Sequence, residues 1–265
     1  MGILNVTPDS FSDGGLHFRT NDAVGHGLRM ANEGADIIDV GGESTRPFSD
    51  PMLLEEELKR VLPVIRALSR ELAIPISIDT YKSGVARQAL MAGATMVNDI
   101  SALRFDPAMG SLVSEAGVPV VLMHMKGTPK NMQANPAYED LLGEILAFLR
   151  QAVEQAVEIG IKRDLIIIDP GIGFGKSFDD NLRIIKELHR FSHLGQPILV
   201  GTSNKSFIGH VLDLPVESRE TGTLATIAAS VMNGANIIRA HNVRAAKETV
   251  TMIDAIESGS SKRKA

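Results

Sequence analysis

Eight short apolar runs rich in β-branched residues are spaced along the chain, and helical patterns fill the intervals between them. Within the intervals, apolar residues recur every three or four positions, as they do from Leu54 to Leu72 and from Leu142 to Val157. Strict alternation of continuous apolar strands with amphipathic helices is typical of a parallel sheet covered by helices. The predicted strands are 2–6, 36–40, 75–79, 96–99, 118–124, 164–169, 197–201 and 236–241.

The chain has 265 residues, and a single (β/α)8 (TIM) barrel takes about 250. Hydrophobic residues make up 44% of it, enough to fill a barrel interior without the missing tryptophan. A doubly wound open sheet is the alternative fold, but no dinucleotide fingerprint follows any predicted strand. We therefore expect an α/β protein with one TIM-barrel domain over residues 1–256, followed by a disordered Ser-, Gly- and Lys-rich tail over 257–265.

Polar residues stand at the carboxyl end of strand after strand, and the segments from strand to helix are long at 7–20, 42–52, 125–137 and 170–178. The links from helix to strand are short, with Gly34, Gly93 and Gly234 predicted as left-handed helix caps. Because barrel enzymes carry their sites on the strand-to-helix segments, both features predict a ligand site on that rim. The strand-end residues are Asn5, Asp39, Asp79, Asn98, Asp99, His124, Asp169, Ser203, Asn204, Lys205, Arg239 and His241.

Composition excludes several classes of protein. The net charge is −5, and the only basic cluster is Lys262-Arg263-Lys264, so a nucleic-acid partner is not expected. No apolar stretch has the length of a membrane span or a signal peptide, and we expect a cytoplasmic protein without a membrane partner. The absence of cysteine excludes disulfides, thiolate metal sites and a cysteine nucleophile. Small molecules are the expected partners.

Two motifs invite readings that their spacing does not support. The glycine-rich stretch 169–177 has Pro170 where a phosphate-binding loop needs glycine, so we interpret it as a tight turn that brings a planar ligand to the backbone and Phe174 over that ligand. His189 and His193 have the spacing of zinc ligands but lack the glutamate of the zincin motif. We expect them on a solvated helix end, and His124 stays unassigned.

The remaining strand-end residues indicate recognition of a heterocycle and an anion. Asp79 and Asp169 each end an apolar strand. Pairing with lysine is the structural alternative for both. Together with the Asn98 amide and the Lys205 ammonium, however, these carboxylates match a flat ring with several N–H donors and a carbonyl. Arg239 and His241 are two residues apart and share a face, which suits a phosphate or a carboxylate.

Taken in order, the motifs closely resemble those of the dihydropteroate synthase family of folate biosynthesis. The resemblance covers essentially the whole chain, and eight ordered motifs are far more specific than any single glycine pattern. It is carried by residues 1–15, 39–47, 78–80, 98–100, 123–125, 169–176, 205–209 and 239–241.

The resemblance implies a TIM barrel, a homodimer, and a reaction that joins p-aminobenzoate to 6-hydroxymethyl-7,8-dihydropterin pyrophosphate with Mg²⁺ present. It assigns Asp79, Asn98, Met123, Asp169 and Lys205 to the pterin, and Thr45, Arg46, Arg239 and His241 to the pyrophosphate. It assigns Phe11, Pro47, Phe174, Lys205 and Ser206 to p-aminobenzoate and Asn5 to the metal, with Asp13 assisting. The catalytic set implied is Arg46, Asp79, Lys205, Arg239 and His241.

Three positions depart from the family pattern. Asn204 stands where an arginine is usual, Asn242 where an aspartate is usual, and Phe48 where a glycine is usual. Two rival functions stay open on the residues alone. One is a methyltetrahydrofolate:corrinoid methyltransferase, which has no use for a pyrophosphate cluster. The other is a non-catalytic pterin-binding paralogue, which Asn204 and Asn242 suggest.

Overall fold

A computed structural model of the protein describes residues 1–6, 16–44, 49–134 and 136–260. Within these residues, parallel strands alternate with helices from end to end. The strands are β1 (Gly2–Asn5), β2 (Ile38–Gly41), β3 (Ile76–Asp79), β4 (Met96–Asp99), β5 (Val120–Met123), β6 (Ile166–Asp169), β7 (Leu199–Val200) and β8 (Ile237–Ile238). The helices are α1 (Leu16–Asn32), α2 (Leu54–Glu71), α3 (Ser83–Met91), α4 (Ala108–Ala116), α5 (Leu141–Ile159), α6 (Phe178–Lys186), α7 (Ser206–Leu212), α8 (Glu220–Met232) and α9 (Val243–Ser258).

The strands close into a barrel. β1 to β6 form one sheet in chain order, and β7 pairs with β8. Two bridges join these sheets, one between Ile168 and Ile198 and the other between Gly2 and Ala240. At the second bridge, Ile3 N donates a hydrogen bond to Ala240 O over 3.0 Å. The (β/α)8 barrel is therefore confirmed, and the open sheet is excluded.

The helices cover the barrel with their apolar faces. α2 buries Val61, Val64, Ile65 and Leu68, which recur at the three- and four-residue spacing of one helical face. These residues belong to the same buried cluster as Ile38 and other strand residues of the barrel wall. Burial of this continuous apolar face fixes the strands, and with them the residues at their carboxyl ends. Within the described residues, no helix combines the length and apolar character needed to cross a membrane.

The predicted helix caps are confirmed. Gly34, Gly93 and Gly234 have φ of 96°, 114° and 99°, in the left-handed region where only glycine is free of strain. Each glycine turns the chain directly from a helix into the next strand, so the links on this side of the barrel are short. The opposite side keeps the long segments.

Every strand except β4 is shorter than its predicted apolar run, and β2 continues further along the chain than predicted. Residues 164 and 165 begin the sixth run but belong to a 3₁₀ turn at residues 163–165 instead of a strand. β2 extends past Val40 to Gly41, so Asp39 lies within the strand and is completely buried rather than standing at a strand end. The consequence is that Asp39 enters the barrel interior beneath the rim.

The seventh unit carries two helices where strict alternation predicts one. α7 ends at Leu212, and Asp213 follows in the left-handed conformation with φ of 52°. Pro215, which cannot continue a helix, precedes a 3₁₀ turn at residues 216–218 that leads into α8. At the carboxyl terminus, α9 runs to Ser258 with Gly259 as its left-handed cap, so the helix includes the first two residues of the predicted tail.

Candidate active site

Four polar side chains meet at the carboxyl ends of the strands. The register sets Asp79 of β3 beside Gly41 of β2 on one side and Asn98 of β4 on the other. Arg239 reaches across from the end of β8, donating from Nε to Asp39 Oδ2 (2.7 Å) and from Nη2 to Asp79 Oδ2 (2.8 Å). Asn98 Nδ2 also donates to Asp39 Oδ2, over 2.9 Å. Two carboxylates thus clamp one guanidinium and orient one amide.

The clamp leaves acceptors unfilled. Among the described residues, Asp39 Oδ1 and Asp79 Oδ1 are both buried without a hydrogen-bond partner. An unsatisfied buried carboxylate oxygen is costly, and a ligand N–H would satisfy it. Gly41, beside Asp79, carries no side chain, so the space next to the Asp79 carboxylate stays open on that side.

A second group lies on β5, β6 and the segments that follow β6 and β7. Met123 pairs in register with Asp169. The Lys205 ammonium lies 4.3 Å from the centre of the Phe174 ring, a cation–π contact. Phe174 packs in turn against a small apolar cluster, so a flat apolar wall stands beside buried charge. The members of that cluster are Ile100, Met123, Met125 and Met132, with Tyr81, Phe105 and Phe174 partly buried against them.

Burial shifts the acids and the bases of the site in opposite directions. It raises the pKa of Asp169 to about 6, against the opposing hydrogen bond from Gly171 N. It likewise raises the pKa of Asp79, with repulsion from Asp39 adding to the shift and the charge of Arg239 opposing it. Burial and the charge of Arg239 lower the pKa of Lys205 to about 8. Shifts of this size mark functional sites more often than ordinary surface groups.

The glycine-rich segment is a tight turn, as its spacing predicts. Gly171, Gly173 and Gly175 have φ of 72°, 81° and 65°. A Cβ atom at Gly171 would collide with the backbone oxygen of His124, so only glycine fits there. Lys176, which ends the segment, is buried against His124 rather than exposed to a phosphate. This geometry agrees with the rejection of a nucleotide loop.

The other predicted site residues are more dispersed. His241 is exposed at the end of the β8 segment, and its Nδ1 lies 2.9 Å from Ser203 Oγ. Ser206 is exposed at the first position of α7, directly after Lys205. Asn5 is the last residue of β1 and pairs in register with Gly41. Phe11, Asp13, Thr45, Arg46, Pro47 and Phe48 lie outside the described residues.

Asp99 does not join the site, although sequence analysis placed it on the same rim. Its two carboxylate oxygens accept hydrogen bonds from the backbone N–H groups of Ser101 (2.7 Å) and Leu103 (2.8 Å). It therefore shapes the turn that follows β4, in which Ala102 and Leu103 have positive φ. His189 and His193 are exposed, as predicted.

Sequence analysis assigned no role to three residues that contact the site. Asp39 was visible as a strand acid, but its reach to Arg239 spans 200 positions and no spacing rule gives it. His124 and Lys176 were visible as a strand-end histidine and a loop lysine, but nothing in the sequence pairs them. Burial of the side chain was the missing signal in each case.

Two of the three departures from the family pattern have a local structural explanation. Asn204 has φ of 58°, a left-handed conformation that asparagine tolerates better than most residues. Asn242 caps α9, its side chain accepting from Ala245 N over 3.2 Å, and asparagine caps helices as well as aspartate does. Neither position is a simple loss.

The strand ends of this closed barrel present acids, an amide and a lysine beside an aromatic ring. The family model described as pterin binding enzyme matches residues 1–241. The fold and this match define the class, a pterin-binding enzyme. The dihydropteroate synthase of Bacillus subtilis (strain 168) is 48% identical over 256 residues, covering 97% of this chain and 87% of the relative. The chain belongs to the dihydropteroate synthase family of pterin-binding transferases.

Solved structures agree with this assignment. The dihydropteroate synthase of Xanthomonas albilineans with 4-aminobenzoic acid has a TM-score of 0.92 and 44% identity, with 97% of this chain and 92% of that chain covered. The same enzyme in complex with 7,8-dihydropteroate has a TM-score of 0.88 and 43% identity at the same coverage. At these identities and coverages the likeness extends over nearly the whole chain.

Proposed function

We propose that this protein condenses 6-hydroxymethyl-7,8-dihydropterin pyrophosphate with p-aminobenzoate, giving 7,8-dihydropteroate and pyrophosphate for folate biosynthesis. The observation that carries the proposal is a group of acceptors beside the Lys205 ammonium on the Phe174 ring. These are the buried Oδ1 atom of Asp79 and the buried side chains of Asn98 and Asp169. Support comes from relatives that carry the name dihydropteroate synthase and from one solved with the product of this reaction.

The pterin would bind through complementary hydrogen bonds. Its ring N–H and amino groups are donors, and Asp169 and the free Oδ1 of Asp79 are acceptors. The Asn98 amide can serve both directions, and Lys205 can donate to the ring carbonyl or a ring nitrogen. Met123 and Phe174 supply apolar surface for the flat ring.

Departure of pyrophosphate would come first. The bond between the pterin methylene carbon and the pyrophosphate oxygen breaks, pyrophosphate leaves with the electron pair, and the resulting cation is delocalised into the dihydropterin. The p-aminobenzoate nitrogen then attacks the methylene carbon and loses a proton. The enzyme needs positive charge at the leaving group more than a strong base. Arg46, Arg239 and His241 would supply it, and the Thr45 hydroxyl would donate a hydrogen bond to the phosphate.

Arg239 would bring a charged and already oriented guanidinium to the leaving group. Its guanidinium is held by Asp39 and Asp79, which together raise its pKa against the effect of burial, so it keeps its charge. A cation fixed by two carboxylates is already oriented when charge develops on the leaving group, and preorganised charge of this kind is the most effective.

The incoming amine would meet the aromatic side of the site, framed by Phe11, Pro47, Phe174, Lys205 and Ser206.

Mg²⁺ is proposed as a cofactor carried mainly by the substrate. Among the described residues, no cluster of three or more His, Asp or Glu side chains is arranged to hold a metal. Asn5 offers one amide oxygen at the end of β1, which suits an ion that keeps several waters and binds chiefly to phosphate oxygens. When bound, Mg²⁺ supplies charge neutralisation of the leaving pyrophosphate.

A homodimer is proposed on the apolar surface of the seventh unit. Val211, Leu212, Leu214 and Val216 are large apolar residues that are exposed within six consecutive positions, at the end of α7 and after it. A patch of this kind on a monomer marks an interaction surface. Light scattering on the purified protein, with Val216→Glu as the disrupting variant, would test this assignment.

Location in the cytoplasm stays a prediction that the lack of cysteine supports.

The test of the proposed function is pyrophosphate release by the purified protein from the pterin pyrophosphate with Mg²⁺, with and without p-aminobenzoate. Release that depends on p-aminobenzoate and yields dihydropteroate is expected. Pterin binding without any release would instead identify a non-catalytic paralogue, and methyl transfer to a corrinoid protein would identify the methyltransferase.

The variant Arg239→Ala adds a finer measurement to the same assay. It should slow pyrophosphate loss more than it weakens binding of the pterin alcohol, which has no phosphate to contact the guanidinium. Equal losses in both measurements would remove Arg239 from the leaving-group site.

A further inference from the structure

Three consecutive backbone oxygens of the glycine-rich segment each accept a hydrogen bond from a side chain. Gln133 Nε2 donates to Gly173 O (3.0 Å), Lys176 Nζ to Phe174 O (3.0 Å) and the Tyr138 hydroxyl to Gly175 O (2.6 Å). The segment forms neither helix nor strand, so these side chains satisfy oxygens that regular structure would otherwise satisfy. The turn that carries Phe174 is therefore held by its surroundings at three successive points.

Among these donors, Lys176 alone is a buried charge. Its side chain is 2% exposed. Besides Phe174 O, its ammonium contacts His124 Nδ1 (3.0 Å) and His124 O (3.4 Å). Three acceptors match the three N–H groups of an ammonium. Lys176 therefore ties the end of β5 to the turn after β6 and leaves none of its donors free for a ligand.

His124 completes the arrangement as a neutral acceptor. Burial, with the charge of Lys176 adding to it, lowers the pKa of His124 to about 2. The ring is therefore uncharged. Its Nδ1 can accept a hydrogen bond from the Lys176 ammonium, while Nε2 carries the ring hydrogen. The ring also stands edge-on to Phe148 at 4.9 Å, which fixes its orientation.

Lys176 also contributes to the charge balance around Asp169. The positive groups that act on Asp169 are Lys205, Lys176 and Arg239, and all three favour its ionised form against burial. The groups that act on Lys176 are Asp169 and Asp180, which favour its charge, and Lys205, which opposes it. Removal of the Lys176 charge must therefore make the Asp169 carboxylate harder to ionise.

We infer that Lys176 is a positioning residue for the pterin subsite, acting on Phe174 through its backbone oxygen and on Asp169 through the positive charge that it places nearby. The inference rests on the proposed function, because it assumes that Asp169 and Phe174 bind the pterin. Lys176 itself contacts neither the reacting atoms nor the substrate. Its role is to hold the aromatic ring against Lys205 and to keep the acceptor carboxylate ionised as the pH falls below neutral.

The direct experiment compares Lys176→Met with Lys186→Met, the same substitution at an exposed lysine of α6. Binding of 6-hydroxymethyl-7,8-dihydropterin pyrophosphate is measured by calorimetry across pH 5 to 9, together with KM and kcat. Burial lowers the pKa of Lys176 to about 7, so the comparison is made at pH 6.5, where its ammonium is mostly charged. For Lys176→Met we expect binding at this pH to weaken about tenfold or more, the loss of one charged hydrogen bond. We also expect the acid midpoint of binding to move upward in pH, and KM for p-aminobenzoate to rise through Phe174. Lys186→Met should match the wild type in all of these.

The pH midpoint separates positioning from mere support of the fold. A lower melting temperature for Lys176→Met with an unmoved acid midpoint would show a structural role only and would overturn the inference. So would binding curves identical to those of Lys186→Met. Failure of the wild type to release pyrophosphate would instead refute the proposed function, and that result is visible before any variant is made.

If Lys176→Met does not fold, two variants of its partner ask the same question with the lysine retained. His124→Asn keeps an acceptor close to the position of Nδ1, and we expect its pterin affinity to stay within about twofold of the wild type. His124→Leu removes the acceptor and should shift the acid midpoint upward, because a poorly solvated ammonium gives up its proton more easily. Equal midpoints for the two variants would contradict the inference.

Discussion

Among single residues, Asp39 orients other groups of the site, although it is not proposed to contact the substrate. Its Oδ2 accepts from both Arg239 and Asn98 while its side chain is completely buried. Replacement by asparagine keeps the shape and one acceptor oxygen, but it removes the negative charge that pairs with the Arg239 guanidinium. We expect Asp39→Asn to lower kcat/KM for the pterin pyrophosphate by about 10- to 100-fold, the loss of a charged hydrogen bond.

The matched control for Asp39→Asn is Ser77→Ala. Ser77 pairs with Asp39 in register, is equally buried, and among the described residues has no hydrogen-bond partner for its Oγ. Its replacement should leave kcat/KM unchanged and stability unchanged or slightly higher, since an unpaired polar atom is removed. Similar losses in both variants would mean that the interior at this level is sensitive to any change, and the specific role of Asp39 would be rejected.

The sequence predicts site residues better than it predicts their partners. Asp79, Asp169 and Lys205 could be predicted as site residues, because a charge at the end of an apolar strand is costly unless a partner or a ligand binds it. Asp39 is not legible, because one extra residue in β2 carries it from the rim into the interior. Strand ends are set by pairing with neighbouring strands, which a single sequence does not state.

At the scale of the element, the turn after β6 depends on glycine at Gly171 for two separate reasons. The residue has φ of 72°, and a Cβ there would meet the backbone oxygen of His124. Gly195 has nearly the same φ, 74°, with open space around its Cβ position. We expect Gly195→Ala to destabilise the protein by about 1 kcal/mol through backbone strain alone.

Gly171→Ala should cost clearly more, about 3 kcal/mol, and should weaken pterin binding as well, because the turn must move away from β5. Chemical denaturation of the two variants gives the comparison, and pterin calorimetry on Gly171→Ala gives the functional part. Equal destabilisation by both substitutions would show that the turn yields without cost.

A cluster of buried charges joins the segments after β2 and β3 to α2. Lys82 forms ion pairs with Glu43 and with Glu57, and the Tyr81 hydroxyl donates to Glu43 Oε1 over 2.7 Å. Lys82→Met would leave the two carboxylates buried without their cation. We expect a loss of about 3 kcal/mol or more at pH 8, since removing one member of a buried pair exposes the other to the full cost of burial.

The pH dependence of Lys82→Met gives its diagnostic sign. Burial already raises the pKa of Glu57, and loss of the Lys82 charge raises it further. A raised pKa in the folded state gives stability that is present at low pH and is lost as pH rises through the folded value. The deficit should therefore shrink when denaturation is repeated toward pH 5. A constant deficit, or one matched by the exposed control Lys59→Met, would contradict this account.

Elements were predictable in kind, and less so in extent. The continuous apolar runs located all eight strands and the amphipathic intervals located the helices that follow them. The 3₁₀ turn at residues 163–165 and the extra helix α8 were missed, because apolar content alone does not separate a strand from the turn that feeds it.

Across the barrel as a whole, the site holds buried ionisable groups whose charged forms lower the stability of the fold. Burial lowers the pKa of Lys205 to about 8 and that of Lys176 to about 7. Lowered lysine values give stability that is present at high pH and is lost as pH falls through these values. The raised values of Asp79 and Asp169 give stability that is lost as pH rises. The site therefore costs most stability near neutral pH, where the losses from the lysines and from the carboxylates overlap.

Asp169→Asn tests this trade between stability and function. In the folded wild type the pKa of Asp169 is raised from 3.8 to about 6, so its contribution to stability is present below pH 3.8 and is lost as pH rises through about 6. Asparagine carries no charge at any pH, so the variant should be more stable than the wild type by up to about 3 kcal/mol at pH 7.5 and by almost nothing near pH 4.

The same variant should bind the pterin much more weakly at pH 7.5, because an amide N–H would face the N–H groups of the ring. Urea denaturation of the unliganded protein at the two pH values, with pterin calorimetry beside it, measures both halves. A variant that is stabilised equally at both pH values would show that burial of the charge is not the cost. Unchanged pterin affinity would remove Asp169 from the site, and with it the reason for the barrel to hold a buried carboxylate there.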